Sequence, residues 1–467
     1  MLKLIPALTL LLATTSCAHA QDVSVWLTSA DHTALLQQQR QPLHFTSTPE
    51  TRFPVLDIDP NTRMQKMEGF GFALTGGSAE LLMRMTPPAR AALLQQLFTP
   101  AGSGIGVSYL RISIGASDMN ERVFTYDDLP AGQQDPTLAH FDLGPDRADV
   151  VPILKQILAI DPKLKILASP WSAPSWMKSN DNPKAGALLP AMYPVYAQYL
   201  VKYLRTMKAE GIPIAALTVQ NEPLNPKNTP SMVVTSGEEG DFIAQDLGPA
   251  LHKAHLKTEI ILYDHNLDRP DYPLDILANP RAAKYVSGSG FHLYGGETSA
   301  MTKVHDAHPD KGLYFTEQMI IQDPGQLPFH IAHSVSRVVI GATRNWARNV
   351  LLWNLAADPH NGPHTDNGGC PVCQGAVTLD GDQVTRNLAF YTIAQISKFV
   401  RPGSIRIQSD APSLPTLANV AFLTPDHRTV LLVANTAQEP ATFSVRDKHH
   451  TFAATLAPGD VATYVWH

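Results

Sequence analysis

Two stretches of this chain end in a carboxylate where a strand should stop. Thr218-Val219-Gln220-Asn221-Glu222-Pro223 closes a mostly apolar run that starts at Pro213. The run reads as a short buried strand. Pro223 has no N–H to give to a ladder, so the strand ends there. Leu313-Tyr314-Phe315-Thr316-Glu317 repeats the pattern. Two carboxyls on two strand ends can split a glycosidic bond: one protonates the leaving oxygen and the other attacks the anomeric carbon. The first must be protonated at working pH and the second ionised, so their environments must push their pKa values apart. Glu222 is read as the acid/base and Glu317 as the nucleophile. Asn221 is placed to hold the sugar 2-OH, a contact that strengthens in the transition state. Arg111 and His292 are expected to lower the pKa of Glu317, with Tyr294 donating to the same carboxylate.

These residues need a scaffold that brings strand ends together. The middle of the chain alternates strand and helix eight times. The strand signals fall near Met67–Ala73, Val107–Ile114, Lys165–Ser169, Pro213–Val219, Glu259–Asp264, Gly288–Leu293, Leu313–Glu317 and Val350–Leu355. Helical spacing of Val150, Ile153, Leu154 and Ile157, and of Val195, Tyr199, Tyr203 and Met207, fills two of the intervals. Thr86-Pro87 looks like an N-cap and first-turn pair. Eight such units predict an α/β fold, a (β/α)8 TIM barrel over residues 61–400, with its chemistry at the C-terminal strand ends. No phosphate-binding glycine motif follows any strand. Short alternating strands before residue 60 and after residue 400 predict a side β-sandwich built from both termini, residues 21–60 and 401–467.

Read off in turn, the strand ends present Arg111, Trp171, Asn221 with Glu222, Asp264 with His265, His292 with Tyr294, Glu317, and Trp353 with Asn354. Polar anchors among flat aromatic rings suit a sugar, whose C–H faces pack on indoles while amides and carboxylates take the hydroxyls. Asp118 is read as a further sugar contact, against the alternative of a helix cap. Glu80, Glu121, Glu210, Glu238 and Glu239 are read as solvated surface groups.

The 467 residues carry a net charge of −6, with 44% apolar and 17% charged residues, which gives no basic footprint for nucleic acid. Lys3, an apolar stretch from Leu4 to Ala13 and Ala18-His19-Ala20 read as a cleaved signal peptide over residues 1–20, hence a secreted or periplasmic protein with no transmembrane segment. In that compartment Cys370 and Cys373 are read as a local disulfide. The alternative is a zinc site with His364 and Asp366.

The residues then resemble a known family. Asn221-Glu222-Pro223 with Glu317 resembles the large clan of retaining glycosidases on β/α barrels. Ser169-Pro170-Trp171-Ser172-Ala173-Pro174-Ser175-Trp176-Met177-Lys178, Phe291-His292-Leu293-Tyr294 and Trp353-Asn354-Leu355 resemble glycoside hydrolase family 30, the glucosylceramidase family. Gly69 to Ser78 and Tyr314-Phe315-Thr316-Glu317-Gln318 look most like its microbial β-1,6-glucanase branch. The resemblance implies double displacement, with Glu222 as acid/base and Glu317 as nucleophile. It implies that Arg111, Asp118, Trp171, Asn221, His292, Tyr294 and Trp353 line the glucosyl subsite. The implied partner is a β-linked glucan or glucoside, and the mechanism calls for no metal and no organic cofactor. The rival activities are glucosylceramidase, β-glucosidase and β-xylosidase. The rival of another class is a non-catalytic glycan-binding protein.

Overall fold

The computed structural model describes residues 22–46, 52–323, 325–410 and 414–467. The targeting segment expected over residues 1–20 lies outside them.

Eight parallel strands close into a barrel: Gly69–Leu74, Tyr109–Ile114, Lys165–Pro170, Ala216–Thr218, Glu259–Asn266, Val286–His292, Gly312–Glu317 and Ala347–Leu352. They are called strands one to eight below. Helices cover the outside, so each strand is buried on both faces and reads as an apolar run rather than an alternation. Helix Tyr193–Ala209 shows how the cover is made. Tyr196, Tyr199, Leu200, Tyr203, Leu204 and Met207 recur at three- and four-residue spacing and are all buried. Strand one is glycine-rich because strand two lies against it: a Cβ on Gly71 would sit 1.9 Å from the carbonyl oxygen of Tyr109. Thr86 precedes helix Pro87–Phe98 without capping it. Its hydroxyl and N–H instead both bond the Asp382 carboxylate, a partner remote in sequence that outcompetes the local cap.

One layer of the barrel interior is apolar, formed by Tyr109, Leu167, Ala216, Ile261, Tyr314 and Leu351. Two residues further along the same strands, the inward positions become Arg111, Ser169, Thr218 and Trp353. Strand five breaks this parity. Tyr263 and Asp264 have φ of 71° and 55°, so an extra residue enters, and its register against strand six shifts. Leu262 and Tyr263 both pack into the outer core and Asp264 turns into the barrel mouth.

The side domain is a ten-stranded sheet drawn from both ends of the chain. Asp22–Thr28 pairs with Val461–Trp466, and Val55–Lys66 lies between Ile405–Asp410 and Ala441–Asp447. The strand from Val55 runs six residues past position 60, where the sequence pattern had suggested a break. Strand His450–Leu456, which the sequence reading lacks, forms a hairpin with Ala441–Asp447. Phe45, Phe443, Phe452, Tyr464 and Trp466 are in the separate core of this domain.

Candidate active site

Asp264 is the hub of the barrel mouth. It is fully buried, and its Oδ2 accepts from Arg111 Nη2 (2.7 Å), Thr218 Oγ1 (2.9 Å) and Ser169 Oγ (3.0 Å). Its Oδ1 lies 3.1 Å from His292 Nε2. Despite burial, Arg111 and His292 hold its carboxyl well below the usual range. Arg111 in turn spans three strand ends. Its Nη1 donates to Glu317 Oε2 at 2.5 Å and its Nη2 to Asn221 Oδ1 at 2.7 Å. Its guanidinium lies over the Trp171 ring, 4.8 Å from the centroid.

The two glutamates meet around His292. Glu222 has φ of 45°, a left-handed conformation that a side-chain-bearing residue adopts under constraint. Its Oε1 lies 3.1 Å from His292 Nδ1, and the nearest Glu317 oxygen is 3.8 Å from the same nitrogen. An oxygen of Glu222 and one of Glu317 come within 4.8 Å of each other. Tyr294, 42% exposed overall, turns its hydroxyl inward to donate to Glu317 Oε1 at 3.0 Å. Trp171 and Trp353 stack with centroids 5.5 Å apart.

The charges set the titration. Burial alone would neutralise His292, but Glu317, Asp264 and Glu222 around it raise the ring to about 9. Against its own burial, Glu222 is drawn down to about 2 by the hydrogen bond and charge of His292. Burial pushes Glu317 up, and the opposing pull of His292 and Arg111 does not cancel it. The expectation that those cations would leave Glu317 below its usual value therefore fails, because the burial of this carboxylate outweighs them. These charges order the two glutamates opposite to the order needed when the bond breaks. The ordering rests on the imidazolium: Glu222 and His292 hold one proton across a 3.1 Å contact, and the cluster titrates as a unit.

A pocket of about 440 Å³ opens over these groups. Asp118, Trp171, Asn221, Glu222, Tyr294, Glu317 and Trp353 line it, so the sequence-derived set converges there, with Arg111 and His292 immediately behind. Three of its buried polar atoms have no hydrogen-bond partner among the described residues: Asp118 Oδ1, Trp171 Nε1 and His265 Nδ1. Burial, then Glu317 and Glu222, raise Asp118 to about 8, so it is a neutral hydroxyl donor at pH 7. Burial lowers His265 to about 4, which leaves a neutral ring. Cys370 and Cys373 form a disulfide on the pocket wall, which removes both thiols from any zinc site. The site also contains residues that the sequence reading did not assign: Ser169, Thr218, Asn225 and Asn228, and a role for Asp264. Asp264 was visible as a strand end. The others carried no signal, since a Ser or Thr inside a strand and two Asn in a loop are ordinary.

Comparison with known proteins agrees with this architecture. Residues 67–400 match the Glycosyl hydrolase family 30 TIM-barrel domain, and residues 403–464 match the family 30 beta sandwich domain. An endo-1,6-beta-D-glucanase of Neurospora crassa is 37% identical over 86% of this chain and 84% of its own length. The mouse lysosomal acid glucosylceramidase is 28% identical over 87% of this chain and 82% of its own. The solved endo-beta1,6-glucanase BT3312 superposes with a TM-score of 0.87 at 33% identity, covering 95% of this chain and 99% of that one.

Proposed function

The chain belongs to glycosyl hydrolase family 30, and from that premise we propose that it is an exported endo-β-1,6-glucanase that retains anomeric configuration. The observation that carries the mechanism is the approach of the two carboxylates to within 4.8 Å. Retaining glycosidases place them about 5–5.5 Å apart, whereas inverting enzymes leave about 6.5–9.5 Å for a water. Glu317 attacks the anomeric carbon as the C–O bond breaks, and Glu222 gives its proton to the leaving oxygen. Water, deprotonated by Glu222, then opens the glucosyl-enzyme.

Geometry supports this division of roles. Both oxygens of Glu317 meet interior donors, Arg111 and Tyr294, which favour the ionised form at the moment of attack. Oε2 of Glu222 instead faces the loop at Asn225 on the pocket wall, away from His292. Arg111 occupies Oδ1 of Asn221, which leaves the amide nitrogen for the sugar 2-OH. The unpartnered Asp118 Oδ1 and Trp171 Nε1 supply further contacts to hydroxyls, and the stacked indoles give the ring a flat wall.

Export is supported by the expected signal peptide and by the disulfide, which suits an oxidising compartment. The substrate is supported by the named activities of the relatives at 33% and 37% identity. Mass-resolved product analysis of the mature protein on linear β-1,6-glucan tests it. A ladder of oligosaccharides is expected. A single short product would change the assignment to an exo-acting enzyme. No release from folded protein would refute the substrate, and activity on glucosylceramide would then favour the second activity found among the relatives.

A further inference from the structure

The loop after strand four carries Asn225-Pro226-Lys227-Asn228 along the pocket wall. Asn225 is bonded at both ends and along its backbone. Its N–H donates to the Glu222 carbonyl at 2.8 Å, which folds the loop back over the strand end. Its Oδ1 accepts the N–H of Lys227 at 3.0 Å. Its Nδ2 then donates to Glu222 Oε2 at 2.7 Å, with Asn228 Nδ2 further off at 3.4 Å. The network fixes which way the amide points: flipped, its oxygen would face a carboxylate and its NH2 would face an N–H. Pro223 and Pro226 limit the backbone on either side. The amide is thus a built part of the loop, set on the Glu222 oxygen that faces away from His292.

We propose that Asn225 is a positioning residue for the acid/base step: its amide holds one lone pair of Glu222 Oε2, stabilises the ionised carboxylate and leaves the other lone pair for the glycosidic oxygen. This inference rests on the glycosidase reading of the site. A donor on Oε2 serves both half-reactions. It orients the oxygen while it carries the proton, and it supports the carboxylate that later deprotonates water. The other titratable groups that act on Glu222 are His292 on strand six, His265 and Tyr263 on strand five, Glu317 on strand seven, Asp118 in the loop after strand two and Tyr294 just past strand six. Lys227, on Asn225's own loop, is exposed. Asn225 itself carries no charge, so its effect is separable from theirs.

The test is the pH profile of kcat/KM on a β-1,6-linked glucose oligomer for wild type, Asn225→Ala and Asn225→Asp. The alkaline limb reports loss of the one proton that Glu222 and His292 hold between them. Removing a donor to the ionised form should move that limb up by about one pH unit in Asn225→Ala. Asn225→Asp keeps the acceptor for Lys227 but sets a carboxylate against Oε2, so it should move the limb further. At the plateau, kcat/KM on the oligomer should fall about tenfold in Asn225→Ala. On a dinitrophenyl β-glucoside, whose leaving group needs no proton, it should stay within about twofold of wild type. An unmoved limb, or an equal loss on both substrates, would overturn the inference in favour of a purely structural role. If Asn225→Ala does not fold, the limb of Asn225→Asp decides. A wild type that turns over neither substrate would refute the glycosidase reading itself, and this inference with it.

Discussion

Replacing Asp264 with Asn changes one atom in a buried hub, and its consequence can be followed bond by bond. Oδ2 of Asp264 takes the donors from Arg111, Ser169 and Thr218, and an amide oxygen can keep all three. Oδ1 takes His292 Nε2, and an amide NH2 there would face an N–H at 3.1 Å. His292 must then shed its Nε2 proton and become a neutral ring that still donates through Nδ1 to Glu222. In the wild type the ring is raised from 6.5 to about 9. A group raised on folding adds stability that is complete below its unfolded value and is lost as pH rises through the folded value. The step, at about 1.4 kcal/mol per unit, is on the order of 3 kcal/mol between pH 6.5 and 9. Wild-type stability to urea should fall by that amount across this window, beyond any fall in Asp264→Asn. The comparison cancels Asp118, which is raised by burial, Glu317 and Glu222 rather than by Asp264. Nitrogen-15 titration of the histidines should show a ring protonated at pH 8 in wild type and neutral in the variant. Parallel stability curves, together with a His292 that still titrates near 9 in Asp264→Asn, would refute this account of the charge cluster.

Other substitutions separate the remaining roles. Glu222→Gln should lose about 10²- to 10⁴-fold on β-1,6-glucan, yet still form the glucosyl-enzyme from dinitrophenyl β-glucoside, visible as a burst of phenolate. Glu317→Gln should form no covalent intermediate from either substrate by mass spectrometry of the trapped protein. Asp118 is neutral at pH 7, so Asp118→Asn should cost little there, and it should spare the enzyme the part of its activity loss above about pH 8 that comes from ionisation beside Glu317 and Glu222. Equal pH profiles for Asp118→Asn and wild type would count against that. Removing the Cys370–Cys373 disulfide opens a loop of only four residues, so unfolding should cost at most about 2 kcal/mol less. The pocket wall it forms should instead register in a raised KM for the glucan.

The barrel was legible because its strands are buried on both faces. Such strands write themselves as apolar runs, and Glu317 is the last residue of strand seven, whereas strand four stops at Thr218, well before Pro223. Strand His450–Leu456 was not legible, because Ala453-Ala454 blurs its alternation and its pairing with Ala441–Asp447 supplies what propensity does not. The charged and aromatic site residues were legible because a charge or an indole at a strand end is unusual. The hydroxyls of Ser169 and Thr218 and the amides of Asn225 and Asn228 were not, since nothing about those types in those contexts departs from the ordinary.

Asp264 shows a different limit. Its type and its strand end were plain, but its direction was not. Counting by twos from Ile261 points Tyr263 into the barrel and Asp264 out among the helices. The reverse holds because Tyr263 and Asp264 both take positive φ, with no glycine to announce it. What makes that conformation tolerable is tertiary: Tyr263 packs against the tilted ring of Tyr272 outside, and four donors meet Asp264 inside. The strain at this bulge is therefore sustained by the same bonds that orient Arg111 and His292. Those two cations in turn fix Glu317, Asn221 and Glu222. The electrostatics of the site and the irregularity of strand five are one feature. A substitution that straightened the bulge would disorder both glutamates without touching either.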